Sequence, residues 1–255
     1  MGERTKHPAG AFSWAELTTT DADGAKAFYT GLFGWEVDDN PMPEGGVYTI
    51  LRRGGRAAAA LFQAAEERPV AWLSYVTVDS ADETAAAVTE NGGAVPMGPF
   101  DVMEVGRMAV VHDPAGAFFA LWEPGASIGA EVVNEPGALS LNQLNTNDVD
   151  GAQGFYSAVF GWRFEYVGTD DNQYWGVYND DRLNAGMMPL PPGMDAPPHW
   201  LVYFGSENVD DDAGRIKELG GQVLVPPTDV PGGRFISAMD PQGGVFAQFS
   251  GRFDD

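Results

Sequence analysis

The chain contains no cysteine, which excludes disulfides, thiolate metal centres and cysteine nucleophiles together. Histidine is nearly as scarce, with His7, His112 and His199 far apart along the chain. Basic residues are few: 14 Lys and Arg stand against 37 Asp and Glu, a net charge of −23. Such a field repels phosphate backbones and anionic lipid, so nucleic acid and membrane surfaces are poor partners. The shortage is shared along the chain. Residues 1–130 hold 8 basic and 18 acidic side chains, and the remainder hold 6 and 19. The charge therefore reads as a solvated surface that tolerates neutral or cationic ligands, not as an acidic tail. No apolar run approaches the roughly 18 residues that cross a bilayer. Met1–Ala11 also lacks the apolar core of a signal peptide. The expectation is a soluble, cytoplasmic protein, monomer or homodimer.

What the chain does have is apolar material and repetition. Hydrophobic residues make up 44% and aromatics 12%, enough to fill a sizeable core. Asp21, Phe28, Tyr29, Phe33, Gly34 and Trp35 return, each displaced by 127 positions, as Asp148, Phe155, Tyr156, Phe160, Gly161 and Trp162. Trp72, Leu73 and Tyr75 return 128 positions later as Trp200, Leu201 and Tyr203. Asp113-Pro114 and Gly116 return as Asp240-Pro241 and Gly243. An ordered set of this kind means a duplicated domain, with a period too long for a solenoid. The expected division is 11–124 for the first domain, 125–137 for a Gly- and Pro-containing linker, and 138–251 for the second.

Within each copy the rhythm is strand, helix, then strands, twice over. Phe12–Thr18 alternates like a strand. Asp21 is placed to cap a helix whose Ala25, Phe28, Tyr29 and Leu32 share one face, and Gly34 closes it. Short strands follow at Trp35–Val37, Val47–Leu51 and Ala57–Phe62. The second unit runs through Ala71–Val78, a helix over Asp82–Glu90, and strands near Val95, Met108–Val111 and Phe118–Trp122. The fold class is α+β, four βαβββ units in two domains.

Lys26-Ala27-Phe28-Tyr29 with Leu32-Phe33-Gly34-Trp35 resembles the vicinal-oxygen-chelate (glyoxalase/bleomycin-resistance/dioxygenase) superfamily. Gly154-Phe155-Tyr156 with Val159-Phe160-Gly161-Trp162 repeats the resemblance. Gly106-Arg107 ahead of Asp113-Pro114-Ala115-Gly116, and Gly233-Arg234 ahead of Asp240-Pro241-Gln242-Gly243, look like that family's last hairpin. The Pro8–Asp21 stretch further resembles two-domain actinobacterial members labelled glyoxalase-like proteins or hydroxylases, a label that names no reaction. The resemblance implies that each domain curls two units into an incomplete β-barrel. It also implies, in metal-dependent members, His, Gln or Glu ligands on three strands. Those positions correspond to Trp14, the neighbourhood of Trp72, and Ala120, and in the second copy to Leu141, the neighbourhood of Trp200, and Ala247. None of these side chains binds a metal, so the expectation is no metal and no cofactor. His199 is expected to face away from the cavity.

Glu16 is the candidate catalytic residue. A carboxylate on a cavity-facing strand suits general acid or base work, although an ion pair with Arg107 accounts for it equally well. Trp14, Thr18, Tyr48, Trp72, Ser74 and Trp122 are expected around the first cavity. Leu141, Gln143, Asn145, Tyr174, Trp200, Phe204 and Phe249 are expected around the second. Aromatic walls with few polar points describe a small-molecule site, and they describe a filled barrel core as well. Two functions follow: a metal-independent enzyme of isomerase, cyclase or epoxide-opening type on a small metabolite, or a protein that sequesters a drug or metabolite. A metal-dependent glyoxalase or dioxygenase is disfavoured by the missing ligands.

Overall fold

A computed structural model describes residues 2–42, 45–64, 68–169, 172–191, 193 and 196–253. The first half is built from β1 (Phe12–Thr19), α1 (Ala22–Phe33), β2 (Glu36–Pro41), β3 (Val47–Arg53), β4 (Arg56–Gln63), β5 (Ala71–Thr77), α2 (Ala81–Glu90), β6 (Ala94–Val102), β7 (Gly106–His112) and β8 (Phe118–Pro124). The second half repeats it as β9 (Leu139–Thr146), α3 (Val149–Phe160), β10 (Arg163–Tyr166), β11 (Trp175–Asn179), β12 (Arg182–Pro189), β13 (His199–Gly205), α4 (Val209–Glu218), β14 (Gln222–Val230), β15 (Gly233–Met239) and β16 (Val245–Gly251). Each half is one eight-stranded sheet, ordered β2-β3-β4-β1-β5-β8-β7-β6 and β10-β11-β12-β9-β13-β16-β15-β14. The outer strands do not pair with each other, so neither sheet closes into a barrel.

Local chemistry sets the helix ends where the sequence places them. The Asp21 carboxylate accepts from the Gly24 N–H, and Asp148 does the same for Gly151, satisfying first-turn donors. Gly34 and Gly161 end α1 and α3 with φ of 68° and 72°, a left-handed backbone that glycine adopts without a Cβ penalty.

Each domain's first helix packs across the boundary onto the other domain. Phe28 of α1 meets Phe246 of β16 at 6.1 Å, and Phe33 meets Phe204 of β13 at 5.2 Å. In the mirror contact, Phe119 of β8 meets Tyr156 and Phe160 of α3. The cores of the two halves are therefore shared, and among the described residues no helix covers the opposite face of either sheet.

The stretch 125–137 does more than connect. Ala130, Val132 and Val133 are buried. The Ala130 N–H donates to the Ser13 carbonyl and the Glu131 N–H to that of Ala57, between the diverging ends of β1 and β4. Glu3 bridges Val132 in antiparallel fashion, tying the N-terminal segment on top. No helix among the described residues is long and apolar enough to cross a membrane.

Candidate functional site

Strand register decides which side chains meet. Directly paired residues on neighbouring strands point to the same side of a sheet. On β1 and β5, Trp14 pairs with Tyr75 and Glu16 with Leu73, whereas Ala15 pairs with Ser74 and Leu17 with Trp72. Glu16, Trp14, Leu73 and Tyr75 therefore share the helix-free face, and Trp72 and Ser74 lie on the helix-covered one. In the second domain Gln143 pairs with Leu201, Leu141 with Tyr203 and Asn145 with His199, while Trp200 pairs with Leu144.

This corrects four of the expected lining residues and one exclusion. Trp72 donates its indole N–H to the Tyr29 hydroxyl at 2.9 Å, and Tyr29 donates to Asp240 of the other domain at 2.8 Å. Trp200 does the same with Tyr156, which donates to Asp113 at 3.1 Å. Phe204 is fully buried against Phe33, Trp35 and Trp72. Ser74 donates to Asn142 across the domain boundary at 2.5 Å. These four hold the two domains together and line neither open face. His199, expected to face away, instead sits beside Asn145 on the open face, 3.2 Å from its side-chain nitrogen. The cause is a strand phase displaced by one residue, which exchanges the two faces.

In the first domain the structure brings Glu16, Trp14, Tyr48 and Trp122 together. Tyr48 donates to one Glu16 oxygen at 2.7 Å and Tyr75 donates to the other at 2.9 Å. The Trp14 indole N–H donates in turn to the Tyr48 hydroxyl at 3.3 Å. Tyr75 packs edge-on to Trp122, whose own indole N–H is held by the Ser127 carbonyl. Thr18 lies further along β1 on the same face, partly exposed. Burial pushes the Glu16 carboxyl above its ordinary range, and the two tyrosine hydrogen bonds pull in the other direction. Burial also raises Tyr48 and Tyr75 well above a free phenol, with the Glu16 charge adding to the effect.

Arg107 is not the partner of Glu16. Its guanidinium binds Asp82 and Asp101 at the surface, as Arg234 binds Asp210 and Asp229 in the second domain. Tyr75 is the functional candidate that sequence reasoning overlooked. It recurs as Tyr203 within the repeat, and that recurrence was the available signal.

The second domain keeps the geometry and changes the chemistry. Gln143 stands where Glu16 stands, and its amide oxygen accepts from the Tyr203 hydroxyl at 3.1 Å. Its amide nitrogen donates to Asn145 at 3.0 Å. Leu141, Phe235 and Phe249 pack around Tyr203 and Leu201 on this face. Tyr174 matches Tyr48 in position. Burial pushes its phenol up to about 12. Hollows of about 210 Å³ and 250 Å³ open elsewhere, the first beside Asp101, Arg107 and Glu123, the second between Gly10, Ser80 and Phe160.

The family model for the Glyoxalase/Bleomycin resistance protein/Dioxygenase superfamily matches residues 11–121 and again 138–249. The chain belongs to this superfamily, with two tandem copies of its domain. It is 40% identical over 253 residues to a Mycobacterium tuberculosis protein named "Putative glyoxylase CFP32", covering 97% of each chain. It is 34% identical over 260 residues to the Streptomyces peucetius "Anthracycline biosynthesis protein DnrV", covering 95% of this chain and 94% of that one. Among solved structures it resembles the 2,3-dioxygenase LapB of Pseudomonas sp. KL28, with a TM-score of 0.68 at 16% identity over 96% of this chain and 94% of that one. It also resembles the Mn(II)-bound glyoxalase of Novosphingobium aromaticivorans, with a TM-score of 0.66 at 18% identity over 98% and 83%. These two likenesses are of fold.

A metal of the kind bound by that glyoxalase does not suit the residues present here. The open-face positions on β1, β5 and β8 are Trp14 and Glu16, Leu73 and Tyr75, and Ala120 and Trp122. Their counterparts are Leu141 and Gln143, Leu201 and Tyr203, and Ala247 and Phe249. The first set offers one carboxylate whose two oxygens already accept phenol hydroxyls. The second offers neutral oxygens and, further along the same face, the single imidazole of His199, whose two ring nitrogens already meet the Pro197 carbonyl and Asn145. Among the described residues no group of three His, Asp or Glu side chains converges.

Proposed function

We propose that this protein is a metal-independent acid–base enzyme acting on a small, carbonyl-bearing aromatic metabolite in its first domain. The observation that carries the reading is the Glu16 carboxylate held between the hydroxyls of Tyr48 and Tyr75 on an open face walled by Trp14 and Trp122. Glu16 takes a proton from carbon next to a carbonyl. A tyrosine hydroxyl then turns from the carboxylate to the substrate oxygen, where negative charge develops. Return of the proton at another atom gives an isomerisation. Attack of the carbanion on a second carbonyl carbon of the same molecule gives a cyclisation, in which that carbonyl's oxygen takes the electron pair and then the proton from Glu16. Burial suits the role, because a carboxyl held above its ordinary range is a stronger base once ionised. The relatives named for anthracycline biosynthesis support a polycyclic aromatic substrate.

The test is deuterium uptake from D2O into a panel of bicyclic to tetracyclic aromatic ketones, followed by mass spectrometry. Wild type should exchange the hydrogens next to the carbonyl, and Glu16→Gln should slow that exchange by roughly 10²–10⁴, the usual contribution of one positioned acid or base. Gln143→Ala should leave the rate intact. Binding of the ketones without exchange above buffer would instead favour sequestration, the behaviour that the bleomycin-resistance part of the family description suggests.

A further inference from the structure

The second open face carries donor hydrogens that its own side chains leave uncommitted. The orientation of its polar chain follows from one end. His199 Nδ1 lies 2.8 Å from the Pro197 carbonyl and must carry the proton there. In the neutral ring Nε2 then accepts from the Asn145 side-chain nitrogen at 3.2 Å. Asn145 therefore turns its oxygen to the Gln143 nitrogen, and Gln143 turns its oxygen to the Tyr203 hydroxyl. Each amide nitrogen has two hydrogens, so Gln143 and Asn145 each keep one N–H uncommitted. Both residues are more than nine-tenths buried.

Tyr174 supplies a third donor. Its hydroxyl has no hydrogen-bond partner among the described residues, and burial alone raises its phenol. It reaches this place because position 186 is glycine. A Cβ built on Gly186 would lie within contact-violating distance of the Tyr174 hydroxyl. In the register, Gly186 pairs with Gln143 as Ala60 pairs with Glu16. The duplicated domain thus carries a methyl where this one has room for a phenol. Leu141, Phe235 and Phe249 form a half-exposed apolar rim around the recessed amides. A polar floor under an apolar rim is how small-molecule sites are built.

We infer that the second domain is a separate, non-catalytic binding site for a neutral planar carbonyl compound of the quinone class, its oxygens taken by Tyr174, Gln143 and Asn145. Three donors without a charged partner match carbonyl acceptors. The −23 net charge of the chain opposes an anion. The first domain has at the same place a carboxylate already held by two tyrosine hydroxyls, where the second has a neutral amide.

Menadione (2-methyl-1,4-naphthoquinone) is the probe, and the cysteine-free chain offers it no thiol to alkylate. Its Kd is measured by calorimetry on the full chain, beside 2-methylnaphthalene, which has the same rings and no oxygen. Menadione should bind at least tenfold tighter than the hydrocarbon. Tyr174→Phe should weaken it about fivefold to tenfold, the loss of one hydrogen bond. Gly186→Ala should weaken it similarly by displacing the phenol, with circular dichroism and Tm confirming that both variants fold. Wild-type affinity in both variants would overturn the inference, as would equal binding of the hydrocarbon or no menadione binding to the wild type.

Discussion

Glu16 and Gln143 hold matching places in the two sheets and differ by one functional group, and that difference sets a pH dependence. Burial raises the folded-state carboxyl of Glu16 above its unfolded value. The folded protein therefore holds this proton more tightly than the unfolded chain does. Stability from the group is fully present below the unfolded pKa and is lost as pH rises through the folded one. An amide does not titrate, and Gln143 beside Tyr203 shows that the fold accommodates one there. The Tm of Glu16→Gln minus that of wild type should grow as pH rises from about 4 to 8. A difference that shrinks over this range in differential scanning calorimetry would show that the tyrosine hydrogen bonds outweigh burial. The catalytic counterpart has the same origin. Exchange that uses Glu16 as a base should rise with pH through its folded pKa and then level, and the rate left in Glu16→Gln should lose that step.

At the scale of elements, the repeat is best understood as an interface. Tyr29, Trp72 and Asp240, with Tyr156, Trp200 and Asp113, are among the residues that the duplication preserves. The structure joins them into two equivalent chains that cross the domain boundary. Each Tyr hydroxyl both accepts from an indole and donates to a buried carboxylate. Tyr29→Phe and Tyr156→Phe should therefore each cost about 1–3 kcal/mol in urea unfolding, from leaving buried partners unpaired. The two costs should be similar, since the two chains have the same geometry. A loss below about 0.5 kcal/mol would mean that backbone donors around Asp113 and Asp240 already satisfy them.

The same elements show what the sequence could and could not reveal. Helix caps at Asp21 and Gly34, and the strand–helix–strand order, are local chemistry and were legible. The face of β5 was not. Trp72-Leu73-Ser74-Tyr75 puts an aromatic on each side of the strand, so alternation alone does not say which is inside. The register that settles it depends on pairing with β1, where an irregularity between Phe12 and Trp14 shifts the count. One of the three uncommitted donors on the second open face depends on Gly186, whose meaning exists only once Tyr174 is folded over it.

At the scale of the molecule, two tandem domains suggest two units that fold alone, and the core argues otherwise. Taken by itself, the first half would expose Phe28, Tyr29, Phe33, Trp35 and Trp72, which pack against Phe204, Phe246 and Asp240 of the second. Fully burying a large apolar side chain is worth about 1.5–3 kcal/mol. A handful of such losses equals the whole stability of an ordinary domain, about 5–15 kcal/mol. The stretch 125–137 adds to the coupling, because Ala130 and Glu131 hydrogen-bond the first sheet while Gly137 bonds the second through Gly205. Trp35 also donates to the Gly137 carbonyl at 2.7 Å. The full chain should therefore unfold in one transition, with calorimetric and van't Hoff enthalpies in agreement. A fragment ending at residue 124 should show no cooperative transition of its own and should bind a hydrophobic dye such as ANS. Two resolved calorimetric transitions, or a fragment that melts cooperatively near the temperature of the full chain, would show that the shared aromatic core is dispensable to each half.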